Sequence, residues 1–160
     1  MKKFKSLLAI VALMAGMFVM NACDDCKDVT CLNGGTCVAG VCECATGYEG
    51  DDCGTAANAK FLGVYTVTDG CLSSSYAQTV SAGSAANKVT FNNLGNYVTP
   101  AIVSCDVEGT SISVTNFEDS TGRKFTVNGS VSGQNINLTY TVTYTDLTTE
   151  TCTCSFVRND

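Results

Sequence analysis

The chain has 160 residues, 11 of them cysteine, with no histidine, no tryptophan and a single proline, and its formal net charge is −6. That length suits one ordinary domain or two small ones, and so many cysteines point to an oxidising compartment outside the cytoplasm. The acidic balance argues against nucleic acid, which needs clustered Lys and Arg, and the lack of histidine removes the commonest general base.

The chain opens on a basic segment, Lys2, Lys3 and Lys5, followed by an apolar run from Leu7 to Val19. That run is short for a membrane span and reads as a signal peptide over residues 1–22. Ala22 then precedes Cys23. The order resembles the lipobox of bacterial lipoproteins, although Met20 and Asn21 stand where that family usually has Leu and a small residue. The resemblance implies fatty acylation of Cys23, cleavage just before it, and a lipid-anchored location at the bacterial outer membrane or cell surface. It also explains the odd cysteine, since acylation of Cys23 leaves ten. Loss of residues 1–22 leaves six basic and fifteen acidic residues, a net charge of −9. Asp24 and Asp25 continue the tether, residues 23–25. They resemble the short acid-rich export signals of surface lipoproteins in Bacteroidetes.

Residues 26–53 carry six cysteines in the spacing C-x4-C-x5-C-x4-C-x-C-x8-C. So short a segment buries too little apolar surface to fold without staples. Six cysteines alone permit 15 pairings. The spacing, with Asn33-Gly34-Gly35, the Cys42-Glu43-Cys44 triplet, and Gly47-Tyr48 and Gly50 before Cys53, resembles an EGF-like domain. That resemblance implies the bridges Cys26–Cys37, Cys31–Cys42 and Cys44–Cys53. It also suggests a two-stranded hairpin with Tyr48 as its apolar cover. Calcium-binding members of the family carry a D-x-[DN]-[EQ] segment before the first cysteine and a further oxygen ligand between the third and fourth. Here Val38-Ala39-Gly40-Val41 offers no oxygen side chain, so neither calcium nor any other cofactor is expected. Cys23-Asp24-Asp25-Cys26 is formally a C-x-x-C, but no βαβ pattern surrounds it, which argues against a thiol oxidoreductase.

Residues 54–60 read as a linker. Beyond them, over 61–160, Thr, Ser, Val, Asn and Gly alternate with apolar residues at period two, the pattern of half-buried strands. Strands are expected over 61–68, 74–81, 87–92, 97–106, 110–117, 123–132, 135–146 and 151–158. The fold expected is all-β, an antiparallel barrel of up-and-down order after the small disulfide-rich module, with a Greek-key sandwich as the alternative. Phe61-Leu62-Gly63-Val64-Tyr65 resembles the first-strand G-x-W of lipocalins and their calycin relatives, with Tyr65 in place of Trp. In a closed barrel the first and last strands pair. That brings Cys71 near the start of the last strand and leads us to expect Cys71–Cys152 and Cys105–Cys154. Metal binding by these four is the alternative, which the spacing disfavours because it contains no C-x2-C pair.

No catalytic constellation emerges, and an enzyme is not expected. Ser73, Ser74 and Ser75 lack a base, with only Lys88 and Lys124 as substitutes. Glu118 and Asp119 form an acidic pair that suits a turn better than a glycosidase dyad. Asp119-Ser120-Thr121 resembles the D-[ST]-x acceptor of Bacteroidetes O-glycosylation, which implies a modification at Ser120. Tyr65, Tyr140 and Tyr144 are either pocket-lining or core residues. The expected role is non-enzymatic binding or adhesion to a protein or glycan partner by a lipid-anchored surface protein. Small-ligand carriage of lipocalin-like type and inhibition of an extracellular hydrolase are the alternatives.

Overall fold

The computed structural model describes residues 25–159, so the expected signal segment 1–22, Cys23 and Asp24 lie outside the described residues. The chain divides into two compact units. One holds residues up to Ala45 together with Asp51–Gly54; the other holds Thr46–Gly50 and everything from Thr55 onward.

In the first unit, β1 (Thr36–Val38) and β2 (Val41–Glu43) form a hairpin with Cys37 opposite Cys42. Its two turn residues, Ala39 and Gly40, have φ of 48° and 82°. This double left-handed turn matches the right-handed twist of the strands it joins. Disulfides join Cys26 to Cys37, Cys31 to Cys42 and Cys44 to Cys53. Leu32, Val38 and Val41 stay exposed. Apolar burial therefore contributes little, and the bridges restrict the chain in its place. Gly35 is demanded by the third bridge, because a Cβ there would stand 2.8 Å from Cys53 Sγ.

The segment Thr46–Gly50 falls inside the expected module yet belongs to the second unit. There β3 (Tyr48–Glu49) pairs with β4 (Thr55–Ala56), so the backbone of Tyr48 is matched to Ala56. The Ala57 N–H donates to the Gly47 carbonyl, and Lys60 Nζ lies 2.6 Å from Glu49 Oε2. The β3–β4 ladder, one further main-chain bond and one ion pair thus draw into the barrel unit both the segment Thr46–Gly50 of the cysteine motif and residues 55–60 of the stretch expected to be a linker.

A single 3-10 turn (Ala59–Phe61) leads to eight strands: β5 (Gly63–Asp69), β6 (Tyr76–Ala82), β7 (Lys88–Phe91), β8 (Val103–Glu108), β9 (Ser111–Glu118), β10 (Lys124–Ser132), β11 (Asn135–Thr143) and β12 (Thr149–Arg158). They close into one antiparallel barrel in which each strand neighbours the next in sequence. Closure comes from β12 against β5, with Cys154 opposite Asp69 and Arg158 opposite Tyr65, which decides for a barrel over a sandwich. Alternation drives the fold. In β11, Ile136, Leu138, Tyr140 and Val142 turn inward while Asn135, Asn137 and Thr139 face water. The inward residues of all eight strands form one cluster that includes Phe91, Phe125 and Phe156. A barrel of eight strands is just wide enough for such side chains to fill.

One strand is shorter than its sequence suggests. Residues 97–102 are loop, and β8 begins only at Val103. Pro100 has no N–H to give a ladder, and the Ala101 carbonyl and N–H are taken by Leu94 N and Asn93 Oδ1. The late cysteines also need one correction. Cys71 is bridged to Cys152, but Cys105 and Cys154 are free thiols, both buried. Cys105 lies on β8 and Cys154 on β12, with β5, β6 and β7 between them on one side and β9, β10 and β11 on the other. Their strands stand on opposite walls of the closed barrel, and a disulfide requires Cα atoms within about 7 Å of each other.

Candidate functional site

The meander puts four connections, residues 70–75, 92–102, 119–123 and 144–148, at one end of the barrel. The chain joins at the other end, where residues 83–87, 109–110 and 133–134 make the turns. At the joining end Phe61 is buried and its carbonyl accepts from Tyr65 Oη at 2.8 Å. An Arg158 Nη donates to Tyr65 Oη and to the Lys60 carbonyl, with the guanidinium carbon 5.3 Å from the Tyr65 ring centre. Tyr65 is a plug residue there, not a pocket wall.

At the far end the segment 92–102 folds across the mouth. Its base is set by Gln78, a buried amide whose neighbours dictate its orientation: the oxygen turned towards Asn92 N and Asn93 N, the nitrogen towards the Asn93 carbonyl. Asn93 then braces the loop from within. Its Oδ1 accepts from Tyr97 N and Ala101 N, each at 3.1 Å, and its Nδ2 donates to the Tyr97 carbonyl at 3.1 Å. Leu94 is fully buried beneath. Gly95 has φ of 80° and donates its N–H to Tyr76 Oη; a Cβ on it would lie 2.5 Å from the Tyr97 ring and 3.0 Å from Tyr140 Oη. Only glycine lets the main chain cross the barrel axis so closely.

Arg123 supports the loop from the side. Its Nε and an Nη meet Asp119 Oδ2 at 2.8 and 2.6 Å, an Nη donates to the Thr99 carbonyl at 2.9 Å, and the guanidinium carbon sits 4.2 Å over the Tyr97 ring. Asp119 is buried, which pushes its carboxyl up. Hydrogen bonds from the Arg123 side chain, from Thr121 and from the Arg123 N–H outweigh that and hold it below its ordinary value. Tyr97 Oη lies 3.2 Å from Tyr144 Oη, which donates to Glu150 Oε2 at 2.9 Å. Burial and the Tyr144 hydroxyl raise the Tyr97 phenol, so it stays protonated at neutral pH. Above this braced layer the loop tips carry aliphatic side chains: Val98 at 104% relative exposure, Leu147 at 82% and Leu72 at 38%.

The other residues singled out from the sequence are arranged as follows. Tyr140 is buried and donates to Asp69 Oδ2, while Asp69 Oδ1 accepts from Cys71 N. Asp69 and the sulfurs of Cys71 and Cys152 lie within 4.8 Å of one another, but both sulfurs are spent in the disulfide, so the trio has no thiolate to offer a metal. Burial, with Asp69 beside it, raises the Cys154 thiol, and burial pushes Cys105 up to about 12. Neither is a nucleophile at neutral pH. Glu118 and Asp119 make no dyad: Asp119 is committed to Arg123, while Glu118 is exposed 3.7 Å from Lys124. Lys88 pairs with Asp106 at 2.6 Å, and Ser73, Ser74 and Ser75 lie exposed in a loop at the far end with no lysine bonded to them among the described residues. Ser120 is exposed at the tip of the turn that Asp119 organises. Two concavities of about 500 and 430 Å3 lie outside the barrel, one on the Thr- and Asn-rich outer wall around Asn137 and Thr139, the other beside the turn at Ala85.

Sequence reasoning missed Tyr97 and Val98 because residues 97–106 read as strand, Arg123 because it opened the expected strand 123–132, and Asn93 because it fell between two expected strands. The signal was present in Pro100, together with Asn92-Asn93-Leu94-Gly95-Asn96, a run of turn formers.

Fold and site together define a small disulfide-stapled segment followed by a closed eight-stranded antiparallel barrel with a braced apolar loop at one end. Comparison of the chain with protein-family models, curated proteins and solved structures finds no match in any of the three.

Proposed function

We propose that this chain is an envelope lipoprotein, acylated at Cys23, that contacts a protein or glycan through the loop end of its barrel without catalysis. The N-terminal unit is EGF-like on this reading, supported by the cysteine spacing and by the bridges Cys26–Cys37, Cys31–Cys42 and Cys44–Cys53. The observation that carries the proposal is the pair of loop tips Val98 and Leu147, fully presented above a mouth whose lower layer is rigidly hydrogen-bonded. Exposed aliphatics on a preorganised support bind with little ordering cost. Small-ligand carriage is disfavoured because Phe61 and Arg158 close one end, the segment 92–102 crosses the other, and aromatic side chains occupy the interior.

Two experiments test this. Metabolic labelling with a fatty-acid analogue marks the native protein and not Cys23→Ala; equal labelling of both removes the anchor. Binding to a panel of immobilised secreted proteins and glycans is lost in Val98→Asp with Leu147→Asp and kept in Thr139→Ala on the outer wall. A partner that binds all three forms equally refutes the loop-end site.

A further inference from the structure

We infer that opening the Cys71–Cys152 bridge uncovers a site for a thiophilic divalent cation of the zinc or cadmium type, made by Asp69, Cys71, Cys152 and Cys154. The site is independent of the loop-end contact. Three observations carry it. First, a carboxylate oxygen of Asp69 and the sulfurs of Cys71 and Cys152 lie within 4.8 Å of one another. Cys154 stands opposite Asp69 in the β12–β5 ladder, and its thiol is hydrogen-bonded to the Asp69 carboxylate. Cys152 and Cys154 are two apart on β12 and both lie on its buried face. Second, Asp69 is only 2% exposed, yet no Lys or Arg pairs with it among the described residues. Its hydrogen bonds come from neutral groups, Cys71 N–H to Oδ1 and the Tyr140 hydroxyl to Oδ2, each at 2.9 Å. Buried carboxylates are otherwise paired with a cation or bound to a metal. Third, main-chain bonds hold the donors together without the bridge. Gly70 N–H donates to the Thr153 carbonyl at 2.9 Å, and Leu72 N–H donates to the Asp69 carbonyl at 3.1 Å.

In the bridged form the two sulfurs bond to each other and offer no thiolate. A dithiol reductant changes that. One thiolate of the reductant attacks Cys71 Sγ, since Cys71 is solvent-accessible and Cys152 is buried, and Cys152 leaves as the thiolate. The second thiolate of the reductant attacks its own sulfur in the mixed disulfide, closes the oxidised dithiol and releases Cys71. Two electrons pass from the dithiol to the bridge, and its two protons pass to the cysteines. The cation then displaces the protons of Cys71, Cys152 and Cys154 to solvent and takes an Asp69 oxygen as its fourth ligand. Burial, with Asp69 beside it, keeps Cys154 protonated while the bridge stands, whereas a coordinated thiol is deprotonated outright. Three sulfurs and one oxygen suit tetrahedral zinc or cadmium; calcium and magnesium take oxygen ligands. The Tyr140 hydroxyl orients the carboxylate from behind, as outer partners of metal ligands do. A disulfide oxidant runs the exchange backwards and expels the cation, so occupancy follows the ambient thiol balance.

The test reduces the full chain with dithiothreitol, removes the reductant under argon, and times alkylation by iodoacetamide with and without saturating zinc. Peptide mapping reads each cysteine separately, so the N-terminal thiols freed at the same time do not obscure the result. Zinc is expected to slow alkylation of Cys71 and Cys152 at least about tenfold, because the free thiolate is the nucleophile. Asp69→Asn and Cys154→Ser each raise the zinc needed for that shielding by about tenfold or more, and Tyr140→Phe raises it by about tenfold, the cost of losing an outer partner. Cys105→Ser, on the opposite wall, leaves the requirement unchanged. A second arm needs no reductant. Cys71→Ser frees Cys152 with the three N-terminal bridges intact, and cadmium added to it gives a thiolate charge-transfer absorption that Cys154→Ser in the same chain weakens. Circular dichroism checks the fold of each variant. The inference is overturned if zinc fails to shield Cys71 and Cys152 in the native chain, if Asp69→Asn and Cys154→Ser need no more zinc than the native chain, or if the cadmium absorption of Cys71→Ser is absent or indifferent to Cys154.

Discussion

Replacing Arg123 by Met tests the central physical claim about the mouth, that a buried ion pair and not apolar packing holds segment 92–102 in place. Met keeps much of the apolar stem and deletes the guanidinium. The deletion removes two contacts to Asp119, one to the Thr99 carbonyl and the stacking on Tyr97. Removing one partner of a buried pair costs about 3–5 kcal/mol, because the other charge is left uncompensated. Asp119 keeps the Thr121 N–H, the Thr121 hydroxyl and the Arg123 N–H, which places the loss near the lower bound. With a urea slope of about 2 kcal/mol/M, a loss of ~3 kcal/mol moves the unfolding midpoint down by about 1.5 M. The pH dependence has a definite sign. The folded-state value of Asp119 lies below the ordinary 3.8, so its contribution is complete above about pH 4 and is lost as pH falls through the depressed value. The difference between native and variant chains therefore shrinks as pH falls below about 4. Equilibrium urea unfolding at pH 7 and at pH 2.5, followed by circular dichroism, measures both quantities. A loss below about 1 kcal/mol at pH 7, or an undiminished loss at pH 2.5, refutes the claim, since an exposed pair contributes no more than that.

The Cys71–Cys152 bridge closes a loop of 81 residues. Replacing both by Ser lowers the stability of the barrel by ~4.5 kcal/mol in the chain-entropy account; an unchanged denaturation midpoint would remove that reasoning. Cys105 and Cys154 stay unmodified by iodoacetamide in the native chain at pH 8, and both become alkylated on denaturation without reductant. Peptide mapping checks this, and a linked Cys105–Cys154 peptide contradicts the placement on opposite walls. Gly95→Ala forces a Cβ into the Tyr97 ring at a left-handed position, so we expect a loss of about 2 kcal/mol or more in thermal or urea unfolding, compared with under about 0.5 for Val98→Asp at the exposed tip. A small effect at Gly95 together with a large one at Val98 reverses our reading of which residues support the loop.

The strands were legible because period-two alternation is written locally. Ile136, Leu138, Tyr140 and Val142 declare one face without reference to any other part of the chain. The all-β class followed from that, and so did the meander, since short turns between successive strands leave antiparallel neighbours as the simple outcome. The site was less legible because its members are far apart in sequence. Gln78 comes from β6, Asn93 and Tyr97 from the connection 92–102 and Arg123 from the connection 119–123, and the bonds that join these pieces, Gln78 to the Asn92–Asn93 backbone and Arg123 to the Thr99 carbonyl, link stretches distant in sequence. Pro100, with the turn-forming run Asn92–Asn96 before it, was the local clue that the stretch 97–106 is not all strand.

The amino-acid order alone determined the elements that depend on near neighbours: the six-cysteine staple, the alternating strands and the turns between them. It also pointed to the Cys71–Cys152 clamp of the β-domain, because the first and last strands of a closed barrel pair. Only the tertiary structure decided how many of those cysteines bond. Cys105 and Cys154 are each well suited to a bridge in residue type, yet closure of the barrel sets β8 and β12 on opposite walls and leaves two thiols in an apolar interior. Closure likewise decided that segment 92–102 must cross an open end, and the buried charge of Arg123 against Asp119 fixed the path it takes. Periodicity is a property of neighbouring residues, whereas the side of a barrel on which a residue lands is a property of the whole sheet.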